Sequence, residues 1–286
     1  NRLFNDDPSP ETIAAIGAAH RQFGTTGFLP TLISEDATKI EAAIDAARSA
    51  IAAGVPGVLG VHIEGPFLNV EKRGIHDASK LRPISDGEIS LLSKSTGGKT
   101  VVTLAPETVP AEAIRRLAEA GVIVCAGHSN ATAARIEEAL ENGVRGFTHL
   151  FNAMSQLTAR EPGVVGAALN DAASWCGIIV DGHHVDAMVL KIALRAAPLK
   201  RFMLVSDAMP SVGGEKSFML GGEKINVAEG RCVNADGTLA GSDLDMASAV
   251  RNAVSMLGLD LADAVTMASA NPAAFLGLDR ELGHIA

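Results

Sequence analysis

Seven short runs of almost unbroken apolar residues recur along the chain, each followed by a stretch with helical patterning. They are "TTGFLPTLI" (25–33), "GVLGVHIEG" (57–65), "TVVTLAPE" (100–107), "VIVCAGHS" (122–129), "GFTHLFNAM" (146–154), "CGIIVDGHH" (176–184) and "FMLVSDAM" (202–209). A strand that is apolar at every position, rather than at alternate ones, is covered on both faces, as parallel strands are. Helical stretches fall near 35–53, 86–94, 110–120, 131–143 and 186–196, with a short one after the Gly-rich loop that follows 146–154. Ser9-Pro10 reads as a helix N-cap with proline at the first helical position, and Asn142-Gly143 as a helix stop. Seven βα units predict an α/β fold of the TIM-type (β/α)₈ barrel class, short of one strand. An open doubly wound sheet is the competitor, but it carries a Gly-rich turn after its first strand, and "LISEDAT" (32–38) is not one.

After Ser211 the pattern changes. Short polar strands and turns fill a β-hairpin insertion near 213–240, with "NADG" (234–237) as a tight turn. Helices return at 244–257 and 260–269, and no linker divides the chain, so residues 1–286 form one domain. The chain opens in the loop-like "NRLFNDDPSP" and stops at "ELGHIA" without a closing element, which reads as a piece of something longer.

The polar residues gather at one place in each unit, the C-terminal end of the strand. Glu64, Glu107, His128, His149, Asp181, His184 and Asp207 all sit there. In a barrel those ends share one rim, so residues far apart in sequence converge. Glu64 lies within an apolar strand, two residues after His62 and on the same side of it. A carboxylate in that place needs a partner, which is either an Arg or Lys or a metal ion. His128 and His149 end the fourth and fifth strands. With Glu64 they make a His₂Glu set, three protein ligands that leave a position for water, as catalytic zinc-type sites do. Asp207 ends the last strand, where it serves either as a helix cap or as a general base beside such a site. His76 lies in the loop after the second strand and Arg160 in the loop after the fifth. Arg160 answers either an anionic ligand group or a loop carboxylate. Glu107 reads as a loop anchor.

Composition narrows the partners. The net charge is −9, no Lys/Arg run exists, and there are only nine Phe, one Trp and no Tyr, which argues against nucleic acid. The least charged stretch, 49–62, is broken by Gly54, Pro56, Gly57 and Gly60, so no membrane span is expected. Cys125, Cys176 and Cys232 are far apart and form no disulfide framework. A reducing compartment, the cytoplasm, is the expectation.

"HIEGPF" (62–67), "GHSNAT" (127–132), "THLFNAM" (148–154), "DGHHV" (181–185) and "SDAM" (206–209), in that order, resemble the N-acetylglucosamine-6-phosphate deacetylases of the amidohydrolase superfamily. "TLAPE", "LAGS" and "ASANPAAFLGL" support the likeness, which runs from about residue 4 to the C-terminus. The resemblance implies a metal-dependent hydrolase barrel whose first strand and flanking β-sandwich are absent from this chain. It implies one divalent metal per subunit, zinc before iron, cobalt or manganese, held by Glu64, His128 and His149, with a second metal left open. Asp207 would be the catalytic acid/base. Ile75, His76, Asn152, Ala153, Asp181, His184 and the segment Leu239, Ala240, Gly241, Ser242 would contact substrate. Arg160 would reach the phosphate in the neighbouring subunit of a homodimer. The implied reaction is removal of the acetyl group of N-acetylglucosamine 6-phosphate in amino sugar catabolism. N-acetylgalactosamine 6-phosphate is the first alternative. A deaminase or cyclic amidase on the same scaffold is another, and a non-catalytic sugar phosphate-binding relative a third.

Overall fold

The computed structural model describes residues 2–284. Its centre is a seven-stranded, all-parallel sheet whose strands lie in chain order. They are β1 (Thr31–Ile33), β2 (Gly60–Glu64), β3 (Lys99–Leu104), β4 (Ile123–Ala126), β5 (Val144–Phe147), β6 (Trp175–Ile178) and β7 (Phe202–Leu204). Each is shorter than its apolar run, and in every unit but the first the C-terminal part of the run leaves the ladder to form the rim. Helices α1 (Pro10–Arg21), α2 (Ala37–Ala52), α3 (Asp86–Leu92), α4 (Ala111–Glu119), α5 (Ala133–Glu141), α6 (Gly163–Asn170) and α7 (Ala187–Ala196) alternate with the strands. Strand order equal to chain order is what a barrel wall requires and a doubly wound sheet forbids. Among the described residues β1 and β7 are the two edges of this wall.

Both faces of the sheet are buried, for different purposes. Val61, Ile63, Val102, Leu104, Val124 and Ala126 point outward into the main core, under the helices. Residues of the opposite parity point inward. At the bottom of the barrel Val101, Ile123, Cys125, Trp175 and Met203 form a second apolar cluster. Phe275 and Leu276 plug it from α10 (Ala270–Leu276). Above this floor the inward residues become polar. His62 is aligned with Val101, and Glu64 with Thr103.

Local signals explain the helix ends. The Ser9 hydroxyl accepts from the Thr12 amide and Pro10 opens α1. Asn142 caps α5, and Gly143 follows at φ 108°. The insertion forms a four-stranded antiparallel sheet of β8 (Ser217–Leu220), β9 (Glu223–Ala228), β10 (Arg231–Val233) and β11 (Leu239–Ser242). Its "NADG" turn closes with the Gly237 amide donating to Asn234 O at 3.1 Å. Helices α8 (Met246–Leu257) and α9 (Leu261–Ala268) then return to the barrel wall. Among the described residues no helix is long and apolar enough to cross a membrane.

Candidate active site

Glu64 is the last residue of β2, and the chain then turns sharply at Gly65, where φ is 80°. A Cβ at Gly65 would stand 2.4 Å from Ser34 Oγ, so only glycine lets the two strand ends approach this closely. His128 and His149 lie two residues beyond the ends of β4 and β5 and adopt φ values of 49° and 34°. Asp207, three residues beyond β7, has φ 48°. Left-handed backbone is uncommon for residues other than glycine. Here it turns three strand ends so that their side chains drop into the barrel instead of following the strand outward.

All three side chains of the predicted ligand set are buried. Glu64 Oε1 is 2.9 Å from His128 Nε2 and 3.1 Å from His149 Nε2, and the two imidazole nitrogens are 3.1 Å apart. The Nδ1 of His128 lies 2.8 Å from the Lys72 carbonyl, to which it donates. That bond leaves the lone pair of the neutral ring on Nε2, facing Glu64 and His149. Three potential ligand atoms thus surround one point. A zinc-type ion bonded at about 2.0–2.1 Å in tetrahedral geometry spaces its ligand atoms about 3.3 Å apart. The triangle of donors is close to that spacing, and its chemistry, one carboxylate and two imidazoles, fits a divalent metal.

A second triad overlaps the first. Glu64, His76 and His128 each place one donor atom within 4.8 Å of the others. His76, however, has its Nδ1 3.3 Å from the Ser34 amide nitrogen and 2.7 Å from Ser34 Oγ. The amide can only donate, so Nδ1 is an acceptor and the proton of the neutral ring sits on Nε2. A ring in that state offers a donor rather than a lone pair. Burial, assisted by the neighbouring His128, lowers the His76 pKa to about 3 and keeps the ring neutral. In that state His76 is a hydrogen-bond donor beside Glu64 and His128, its ring 4.5 Å from that of His128.

The electrostatics follow from the same contacts. Burial works to raise the Glu64 pKa, but the adjoining imidazoles of His128 and His149 hold it well below the usual carboxylate range. Burial likewise opposes protonation of His149, yet Glu64 pushes it up to about 9. A cation entering at neutral pH would displace that proton. Asp207 is shifted in the other direction, raised first by burial and then by the Glu64 charge. Of two carboxylates in one site, one is held ionised and the other is poised to carry a proton. His62 lies below, as its position on β2 predicts. Its Nδ1 meets Thr31 Oγ1 at 3.1 Å and its Nε2 meets Thr103 Oγ1 at 2.7 Å. Both ring nitrogens are occupied, so it is a floor residue and not a ligand.

The site opens into a cavity of about 1300 Å³. Ile75, His76, Asn152, Ala153, His184, Leu239 and Gly241 line it, together with Glu64, His128, His149 and Asp207. Other predicted contact residues are placed elsewhere. Asp181 stands behind His184, with its Oδ2 2.6 Å from His184 Nδ1 and its Oδ1 accepting from the His183 and His184 amides. Although burial opposes ionisation of Asp181, His184 and these amides hold its pKa at about 2. Ala240 and Ser242 are fully buried, Ala240 among Leu220, Ile225 and Cys232 of the small sheet. Arg160 is exposed in its loop, away from this cavity.

Glu107 anchors loops, as read from the sequence. Its carboxylate accepts from Ser129 Oγ at 2.7 Å, the Asn130 amide at 2.6 Å and Asn69 Nδ2 at 3.0 Å. Ser34 and the Lys72 carbonyl, which set the His76 and His128 tautomers, were not anticipated. Ser34 follows β1 directly, so the strand-end rule that found the others could have included it. A main-chain carbonyl leaves no such trace in the sequence.

The amidohydrolase family model matches residues 4–286. The chain is 46% identical to N-acetylgalactosamine-6-phosphate deacetylase of Shewanella sp. (strain ANA-3), over 99% of this chain and 72% of that protein. It is 35% identical to N-acetylglucosamine-6-phosphate deacetylase of Haemophilus influenzae, over 99% and 75%. The solved structure of N-acetylglucosamine-6-phosphate deacetylase from Pasteurella multocida superposes with a TM-score of 0.95 at 36% identity, covering 99% of this chain and 75% of that one. The strand-end carboxylate and histidines thus sit in a frame shared along nearly the whole chain, and the protein belongs to the amidohydrolase family.

Proposed function

We propose that the protein is a metal-dependent deacetylase that hydrolyses the acetamide of N-acetylglucosamine 6-phosphate to acetate and glucosamine 6-phosphate, in amino sugar catabolism. The observation that carries this reading is the meeting of Glu64, His128 and His149 at one buried point, with Asp207 and the neutral donor His76 beside it on one cavity wall. N-acetylgalactosamine 6-phosphate is a second reading, favoured by the 46% identity to the Shewanella deacetylase named for that sugar.

Glu64, His128 and His149 would hold one divalent ion, zinc first, although the same donors suit iron, cobalt or manganese. Such an ion supplies Lewis-acid polarisation of the acetamide carbonyl and a lowered pKa for water. The chain's own groups carry the rest. Asp207 takes a proton from the attacking water and delivers it to the sugar nitrogen as the C–N bond breaks, leaving acetate and the free amine. The Nε2–H of His76 donates to the acetamide oxygen as negative charge builds there. Asn152, Ala153 and His184 receive the phosphorylated sugar, with Ile75, Leu239 and Gly241 completing the wall. Arg160, exposed and remote from its own cavity, serves the phosphate bound in the other subunit of a homodimer. Three isolated, buried cysteines are in keeping with a cytoplasmic enzyme.

The direct test incubates the metal-loaded protein with N-acetylglucosamine 6-phosphate and N-acetylgalactosamine 6-phosphate and quantifies acetate and free amine. One acetate per amine from either sugar is expected, and the ratio of kcat/KM values decides between the epimers. No acetate from either would overturn the reading. His76→Gln separates the two overlapping triads. As a donor, His76 should cost about a hundredfold or more in kcat when replaced, with metal content by mass spectrometry unchanged. Loss of the metal instead would make it a ligand.

A further inference from the structure

The four-stranded sheet β8–β11 is joined to the barrel at one of the strand ends that carry the chemistry. The last residue of β11, Ser242, bridges to Ala208, the residue after Asp207. Its amide donates to Asp207 O at 2.8 Å, and its carbonyl accepts from the Met209 amide at 2.9 Å. Its hydroxyl donates to Ser206 O and accepts from the Leu244 amide at 3.0 Å. Ser242 thus holds the main chain immediately before, at and two residues after Asp207. It is itself fully buried and does not line the cavity. The preceding Gly241 has φ 63°, and a Cβ there would lie 2.6 Å from Met209 Cγ and 3.0 Å from Asp207 O. This close approach brings β11 onto the turn that Asp207 makes at φ 48°.

A non-glycine residue keeps a left-handed backbone only where its surroundings over-determine it. The bonds from Ser242 are of that kind, and they join two segments 35 residues apart. We propose that Ser242 is a positioning residue: it fixes the backbone of Asp207, so that the carboxylate is aimed at the reacting centre, and it makes the inserted sheet part of the catalytic apparatus. This rests on the reading of Asp207 as the acid/base. Such a role reaches the proton transfers and not the binding of metal or sugar.

Ser242→Ala removes the hydroxyl bonds while keeping those of the main chain. Misplacement of a reacting group by about 1 Å can cost on the order of a hundredfold. The variant is expected to lose about 10- to 100-fold in kcat, with KM and metal content within about twofold of the parent. Ser242→Cys, near in size but a weak donor, should fall between the two. It also answers the question if the alanine variant is insoluble. In an Asp207→Asn background, adding Ser242→Ala should change the residual turnover by less than about twofold, because a residue acting through Asp207 has nothing left to position. Parental kcat in both Ser242 variants would overturn the proposal. So would an equal loss from Ser242→Ala with and without Asp207, the sign of a general structural role. If Asp207→Asn itself keeps parental turnover, the reading of the active site fails. If it collapses while the Ser242 variants do not, only the positioning role fails.

Discussion

Asp207→Asn should reduce kcat for acetate release by about 10³- to 10⁴-fold while leaving metal content and the melting temperature near those of the parent. The substitution is nearly isosteric but cannot accept the proton of water at neutral pH. It also cannot return a proton to the sugar nitrogen, so both halves of the reaction lose their carrier. Burial and the Glu64 charge raise the Asp207 pKa. The group therefore sits nearer to the operating pH than an ordinary aspartate, as a residue that must both take and give a proton should. Removing its charge relieves repulsion with Glu64, so stability is expected to hold or rise slightly. Acetate release in single-turnover experiments, with metal measured by mass spectrometry on the same sample, checks the separation. Turnover within tenfold of the parent would remove Asp207 from the mechanism.

Glu64→Gln should act at an earlier stage and be as severe. Glu64 Oε1 is the vertex shared by both imidazoles, at 2.9 and 3.1 Å. A glutamine keeps the volume but loses the charge, and it sets an amide where the carboxylate stood. Groups that merely orient metal ligands cost 10- to 100-fold in affinity when replaced, so a direct ligand should cost more than about a hundredfold. The variant should elute with little metal and show no measurable acetate release. It should also lose the elevated pKa of His149, which the Glu64 contact sustains. Titration of His149 by NMR well below the pH at which it titrates in the metal-free parent would accompany the metal loss. Full metal occupancy would mean that the ligand set has been misassigned.

The barrel was legible because its strands are covered on both faces, which writes continuous apolar runs into the chain. The rim was legible because a carboxylate such as Glu64 within such a run demands a partner. What the sequence left undecided was which partner, a cation of Lys or Arg or a metal site. That depended on His128 and His149 meeting Glu64 across 64 and 85 residues of chain. Roles set by second contacts were harder to read. His76 becomes a donor only because Ser34, 42 residues away, occupies its Nδ1. Asp181 was expected at the substrate and stands behind His184 instead, because its carboxylate closes a turn on the amides of His183 and His184. Strand ends were overestimated for a simple reason. Residues such as Leu150, Ile179 and Val180 lie beyond the ladder yet are as apolar and as buried as those within it.

His128, His149 and Asp207 all hold their side chains inward by a backbone conformation that costs residues other than glycine roughly 1–3 kcal/mol each. The molecule therefore carries a mutational gradient directed against its own chemistry. In a library screened for thermal endurance and blind to turnover, glycine should be enriched at these three positions. The survivors would keep the barrel and lose the reaction.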